Sequence, residues 1–281
     1  MTAPYRLKTA GLTVNLRQEG AGKPLLFLGG SNFDLSIKAA VFASALPTRF
    51  TVAAADPRGL GASDAPVGIW SMADYAQDAL DLLDALGWET ADILGESFGA
   101  MTALHLAALA PDRIGRMALA VGAAGGAGGA SYPIETFLDI PDPHVRARAA
   151  LEVIDSRFAD RMRLTPDLAQ QQITDRVTAG AAFMASHNNT QGYPRLLHAR
   201  AGHDAWAKLP GISVPTLVFS GRYDRQAPPD RSENIVRAMP KPIDPSPIRE
   251  MFDKDMSASC LCYVQALRIV ATGSGLLKQR L

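Results

Sequence analysis

Residues 91–110 read Ala91-Asp92-Ile93-Leu94-Gly95-Glu96-Ser97-Phe98-Gly99-Ala100-Met101-Thr102-Ala103-Leu104-His105-Leu106-Ala107-Ala108-Leu109-Ala110. Ala91 to Leu94 is a short run closed by Gly95, which reads as a strand. Met101 to Leu109 is an Ala-rich helix that must end before Pro111. Between them stands Gly95-Glu96-Ser97-Phe98-Gly99, a Gly-x-Ser-x-Gly turn from strand to helix. A turn this sharp admits only small residues on either side of the serine, so the Ser97 hydroxyl projects above the sheet as a nucleophile. The Phe98 N–H then lies at a helix N-terminus and points toward a developing oxyanion. The plainer reading is a glycine-flanked serine acting as a helix N-cap. The strand directly before the motif and the helix directly after it favour the nucleophile.

The same alternation continues on both sides. Leu25 to Leu28, Phe50 to Ala55, Met117 to Val121 and Thr216 to Ser220 read as strands, and Ala73 to Leu86 has helical apolar spacing with a stop at Gly87. Strand–helix alternation implies an α/β fold, a mostly parallel doubly wound sheet with helices on both faces. Gly122 to Ala130 is a Gly/Ala loop. From Tyr132 to about Leu209 the pattern is helical, with Ala147 to Phe158 and Leu168 to Met184 the clearest helices. The expected organisation is a core of residues 1–130 and 210–281 with an inserted helical cap at 131–209, over the sheet edge where such folds bind ligands. After Met239 the pattern is lost: Pro240, Pro242, Pro245 and Pro247 fall close together, and Tyr263 to Thr272 suits either a helix or a strand.

Asp56-Pro57-Arg58-Gly59-Leu60-Gly61-Ala62-Ser63, after the Phe50 to Ala55 strand, is the second motif. Together with the Gly-x-Ser-x-Gly turn it resembles the α/β-hydrolase family, in its cap-bearing branch of esterases, lactonases and C–C hydrolases. The resemblance covers roughly residues 1–239 and gives Asp56 and Arg58 a structural part, ordering the loop beside the site. It implies that the loop Gly29-Gly30-Ser31-Asn32, where the family usually has His-Gly-x, supplies a second oxyanion N–H from Ser31. Two glycines permit that close approach; the plainer reading is an ordinary turn. Gly221-Arg222-Tyr223-Asp224 is similar to the family's Gly-x-x-Asp. On that likeness Asp224 orients the catalytic base, with Ala227-Pro228-Pro229 opening the next helix, whereas the bland reading is a turn aspartate. Family members that are dehalogenases or epoxide hydrolases carry Asp at the nucleophile, so Ser97 argues against both; cofactor-free haloperoxidases share the serine.

One part of that pattern is missing. The family's base is a histidine near the last strand, yet His105, His144, His187, His198 and His203 all precede Asp224. His187, His198 and His203, on or at the end of the cap, are formal substitutes if one reaches Ser97; the bland reading of each is a solvated or hydrogen-bonded side chain. Phe252-Asp253-Lys254-Asp255-Met256 suggests another origin. If Lys254 is encoded AAG, Asp255 GAC and Met256 ATG, the frame two bases on reads Gly-His, as in the family, which points to a frameshift near residues 240–255. Losing one member of a coupled triad costs roughly 10⁶ in kcat in a well-studied protease, with about 10³ to 10⁴ over water remaining.

The expectation is a hydrolase of a small ester, lactone or related carbonyl substrate. The alternatives are a non-catalytic ligand-binding protein on the same scaffold, or an inactive frameshifted hydrolase. Composition sets further bounds. The chain has 281 residues, 47% of them hydrophobic and 20% charged, with 28 basic against 28 acidic side chains. That balance argues against nucleic acid as a partner and for a small, largely apolar substrate. No apolar run approaches a membrane span and no secretory pattern opens the chain, so a cytoplasmic location is expected. Cys260 and Cys262, with no further Cys or His beside them, make a poor metal site, and Gly20-Ala21-Gly22-Lys23-Pro24 lacks the first Gly and the Ser/Thr of a phosphate loop. No metal and no cofactor is expected.

Overall fold

A computed structural model describes residues 2–36 and 40–240. Phe252 to Met256, Cys260, Cys262 and Tyr263 to Thr272, on which the expectations for the tail rest, lie outside the described residues. In chain order the strands and first helices are β1 (Tyr5–Lys8), β2 (Thr13–Glu19), β3 (Lys23–Leu28), α1 (Ala40–Ala43), β4 (Phe50–Ala55), α2 (Met72–Ala85), β5 (Ala91–Glu96), α3 (Phe98–Leu109) and β6 (Ile114–Ala120). The helices α4 (Pro143–Ile154), α5 (Phe158–Leu164), α6 (Pro166–Met184) and α7 (His187–Ala201) follow, then β7 (Thr216–Phe219) and α8 (Pro229–Ala238).

The strands form a seven-stranded sheet in the order β1-β2-β4-β3-β5-β6-β7. β4, β3, β5, β6 and β7 pair parallel, while β1 and β2 join as an antiparallel hairpin on the β4 side. The fold is therefore α/β with a mostly parallel sheet. The β1–β2 pair is absent from the sequence reading because β1 is an exposed edge strand, Tyr5-Arg6-Leu7-Lys8, whose charges mask the pattern. In β2 the period-two alternation is short: Val14 and Leu16 are buried, and Thr13 and Asn15 are half-buried.

Burial on both faces explains why the central strands read as apolar runs. Leu26, Ala53 and Ile93 pack on one face against α2 and α3. Leu25, Phe27, Val52, Ala54 and Leu94 pack on the other with Phe33, Phe42 and Leu46. Each such Leu, Ile or Phe stabilises the fold by roughly 1.5–3 kcal/mol through burial. α2 begins at a capping box, where Asp74 N–H donates to Ser71 Oγ and Ser71 N–H to Asp74 Oδ2. α3 is apolar nearly all round because Phe98 to Ala107 are all buried, with only Ala108 and Leu109 at its end exposed.

Between β6 and β7 the described chain is helical. α4 starts earlier than the apolar spacing indicates because Asp142 caps it, accepting from the His144 and Val145 N–H groups, with Pro143 in the first turn. α7 escapes sequence reading because Gly192 and Pro194 lie inside it. Among the described residues no helix is long and apolar enough to cross a membrane.

Candidate active site

Ser97 follows directly on β5 and precedes α3. Its backbone has φ 53° and ψ −108°, a left-handed conformation that side chains avoid. The bend is enforced by packing on both sides. A Cβ on Gly95 would stand 2.6 Å from the Gly99 oxygen, and one on Gly99 would stand 1.9 Å from the Leu28 oxygen. Ser97 N–H donates to Ala120 O at 2.8 Å, and Ser97 O accepts from Met101 N–H at 3.1 Å, so the turn is fixed to β6 and to α3. The Ser97 hydroxyl makes no capping hydrogen bond. The plain N-cap reading therefore fails, and the hydroxyl is left for other chemistry.

Parallel pairing sets the neighbours. Leu28 of β3 is in register with Gly95 of β5, so the Gly29–Ser31 turn and the Ser97 turn emerge side by side at the C-terminal edge of the sheet. Gly29 is required by space: a Cβ there would lie 2.2 Å from the Phe33 ring, whereas the nearest atom to one on Gly30 would be in the Glu96 carboxyl at 3.7 Å, an ordinary contact. Ser31 is buried and its hydroxyl has no hydrogen-bond partner among the described residues. Phe98, the first residue of α3, is buried edge-on against Tyr75 with ring centroids 4.8 Å apart.

Asp224 lies in the loop after β7, at the same edge, with β6 between β7 and β5. Its Oδ1 accepts from the Gln226 and Ala227 N–H groups at 2.7 and 3.0 Å. Burial pushes its carboxyl up to about 6, against those two donors. The loop is tied to the inserted helices: Ser156 N–H donates to Tyr223 O, Arg225 N–H to Val153 O, and the Arg157 guanidinium sits 3.9 Å over the Tyr223 ring.

None of the five histidines is hydrogen-bonded to Ser97 or Asp224 among the described residues. His144, His187 and His198 are exposed. His105 and His203 are buried and spend every ring nitrogen elsewhere. His203 Nε2 lies 2.8 Å from Ala123 O and must donate to it; His203 Nδ1 then accepts from His105 Nε2 at 3.1 Å, and His105 Nδ1 accepts from Lys208 Nζ at 3.1 Å. Burial lowers both imidazoles to about 4, helped at His105 by the charges of His203 and Lys208, so both are neutral at pH 7.

Asp56 and Arg58 brace this edge. Asp56 Oδ1 accepts from Leu35 N–H at 2.7 Å, and Asp56 Oδ2 from Ala62 N–H and Asn15 Nδ2 at 2.9 and 2.8 Å. Burial raises the Asp56 carboxyl above its usual range despite those donors. Arg58 grips Asp78 with two nitrogens, at 2.6 and 2.7 Å. Val121, just past β6, has φ 48°, an unusual backbone for a β-branched residue, and nothing in the sequence announces it. A cavity of about 60 Å³ lies behind the Ser97 turn, lined by Leu28, Gly29, Tyr75, Phe98 and Gly99 but not by Ser97. Among the described residues no group of three or more His, Cys, Asp or Glu is placed to hold a metal ion.

Comparison with known proteins agrees with this architecture. The family model described as alpha/beta hydrolase fold matches residues 23–246. The chain is similar to 2-hydroxymuconate semialdehyde hydrolase of Pseudomonas putida, 31% identical over 82% of this chain and 81% of that protein. It is also similar to 3-oxoadipate enol-lactonase 1 of Acinetobacter baylyi, 30% identical over 64% of each. Among solved structures it resembles the enol-lactonase from Burkholderia xenovorans LB400, with a TM-score of 0.69 and 26% identity over 95% of this chain and 96% of that one. From its sheet, its serine turn and the family match across most of its length, the chain belongs to the α/β-hydrolase fold family and is an enzyme of that family.

Proposed function

We propose that this enzyme is a serine hydrolase of small esters, lactones or related carbonyl compounds. Ser97 Oγ attacks the carbonyl carbon, and the Phe98 and Ser31 N–H groups hold the oxyanion that forms. Asp224 orients whatever base takes the proton. Residues 1–130 and 210–281 act as the core, and 131–209 as a cap over the carbonyl-binding space. The observation that carries this reading is the strained Ser97 backbone, held by Gly95 and Gly99, with a hydroxyl that caps nothing. Strain of this kind persists only where the surroundings over-determine it, and it concentrates at functional sites. Relatives whose names denote a semialdehyde hydrolase and an enol-lactonase support the carbonyl substrate class.

The chain carries no His after Asp224, and a second reading draws on this: a scaffold that binds the same ligands without turning them over, which relatives named as hydrolases do not favour. Hydrolysis of p-nitrophenyl acetate by the full chain and by Ser97→Ala separates the two. Turnover or a burst of p-nitrophenol lost in Ser97→Ala supports the hydrolase. Equal, slow release from both proteins supports the binding scaffold.

A further inference from the structure

Asn189 stands in the first turn of α7, completely buried, with no charge and no obvious catalytic use. Its amide nevertheless has three partners from three parts of the chain. Nδ2 donates to Asp34 Oδ2 at 2.8 Å and to Phe183 O at 2.7 Å, and Oδ1 accepts from Gly61 N–H at 2.7 Å. The opposite orientation of the amide would set its oxygen against a carboxylate and a carbonyl, so these three partners fix which end is which.

The contact at Asp34 is the consequential one, because Asp34 belongs to the turn that carries Ser31. That turn is pinned at separate points. Phe33 N–H donates to Gly30 O at 3.0 Å, and the Phe33 ring is packed in the core against Phe27. Leu35 N–H is held by Asp56. Asp34 Oδ1 accepts from Ser36 N–H at 2.9 Å and Ser36 Oγ at 2.5 Å, closing the end of the turn. The other Asp34 oxygen receives Asn189 from the inserted helices, 155 residues away in sequence.

α7 is itself seated without slack. A Cβ on Gly192 would lie 2.0 Å from Gly59 O, so the helix backbone rests directly on the 57–63 loop. Asn188, beside Asn189, donates to Gly61 O and Ser63 O in that loop, each at 3.1 Å. Two adjacent asparagines thus both bind helix to loop, and Asn189 alone reaches past the loop to the Ser31 turn.

We propose that Asn189 is a positioning residue that couples the seating of the cap to the geometry of the oxyanion loop, through Asp34. The coupling rests on the assignment of the Ser31 N–H as an oxyanion donor. With the cap seated, Asp34 is held and the turn sets that N–H; with the cap displaced, one of the pins on the turn is gone. The device makes full oxyanion stabilisation conditional on a closed cap.

The full chain and four variants test it: Asn189→Ala, Asn188→Ala, Asn189→Asp, and Asp34→Asn combined with Asn189→Asp. Asn189→Ala should lower the rate constant for acylation by p-nitrophenyl acetate by about 10- to 100-fold, less than the 10²–10³ that losing a whole oxyanion donor costs, and leave KM within about twofold. Asn188→Ala should leave the rate constant near wild type. Asn189→Asp sets carboxylate against carboxylate and should lose activity like the alanine variant. The combined variant restores one amide facing one carboxylate. Its new amide oxygen can still accept from Ser36, and the Gly61 N–H still finds an acceptor; the Asn189→Asp carboxylate faces Phe183 O in the single and combined variants alike, so the rate should recover in part, above that of Asn189→Asp.

Hydrogen exchange supplies a readout independent of hydrolysis. Asn189→Ala should speed exchange at residues 31–36 as well as at the start of α7, and Asn188→Ala at α7 and the 57–63 loop but not at residues 31–36. Equal rate losses in the two alanine variants, or no recovery in the combined variant, overturn the coupling. If the wild-type chain shows no Ser97-dependent release, the proposed hydrolysis falls, and unchanged exchange at residues 31–36 in Asn189→Ala would by itself overturn the coupling.

Discussion

At Gly99 an added methyl carbon would stand 1.9 Å from the Leu28 carbonyl oxygen and 2.3 Å from its carbon. Both are backbone atoms of a central strand and neither can swing aside. Gly99→Ala should therefore destabilise the protein by about 3 kcal/mol, the upper end of the overpacking range. Gly30→Ala, where the nearest atoms lie at 3.7 Å, should melt close to wild type. Comparable melting temperatures for the two variants would count against the packing described for the Ser97 turn. Ser97 allows the converse experiment. Its φ of 53° costs an L-residue about 1–2 kcal/mol that glycine does not bear. Ser97→Gly should raise the melting temperature by about 2–4 °C per kcal/mol relieved while removing nucleophilic activity. Thermal melts beside the ester assay check both halves. Gly95 and Gly99 are legible in sequence because a chemical motif demands them. Val121, whose backbone is also left-handed, is not, since a valine carries no signature for that conformation and only the fold imposes it.

Between elements, the hydrogen-bond chain Lys208–His105–His203–Ala123 joins α3 to the segment that follows α7. The two imidazoles titrate near 4 in the folded chain, against an ordinary value of 6.5. Both are thus neutral in the folded and unfolded states above pH 6.5 and cost nothing there. As pH falls below 6.5 the unfolded chain takes up protons that the folded chain refuses, and stability drops until pH 4, where both states are protonated. A depression of that size corresponds to roughly 3 kcal/mol for one imidazole. Urea melts at pH 7.5 and pH 4.5 should show the loss, and His203→Gln should be less stable at pH 7.5 yet lose less between the two values. A parallel drop in both proteins would show that the acid sensitivity lies elsewhere. The same scale shows where sequence reading fails. α7 carries Gly192 and Pro194, which argue against a helix by propensity. Gly192 is there because the helix backbone touches the Gly59 carbonyl, a tertiary reason that no local window contains.

Across the whole molecule, the parallel strands and the helices α2 and α3 were legible because each is buried, and burial writes apolar runs of characteristic length into the sequence. β1 and β2 were not, since an edge hairpin needs few apolar residues and spends its charges on solvent. The proposed site has the same character: Ser31, Ser97 and Asp224 come from the ends of β3, β5 and β7, and their common edge follows from parallel pairing alone. The remaining component of such a site is an imidazole following Asp224 in sequence, and the chain has none. Of the histidines it does have, the buried pair is committed to each other and the rest face solvent. Imidazole supplied from solution should then act in the missing role. It should accelerate Ser97-dependent release of p-nitrophenol with saturation, because in the proposed site Ser97, the Ser31 and Phe98 N–H groups and Asp224 supply every part but the proton acceptor. The acceleration should follow the fraction of neutral imidazole, rising with pH through the acceptor's own pKa, and should disappear in Ser97→Ala. Asp224→Asn should weaken the saturation, since a carboxylate, pushed up to about 6 and so ionised at pH 7.5, favours an imidazolium beside it. Acceleration that is linear in imidazole and equal in wild type and Ser97→Ala would be bulk catalysis, and would mean that these strand ends do not form an active site waiting for a base.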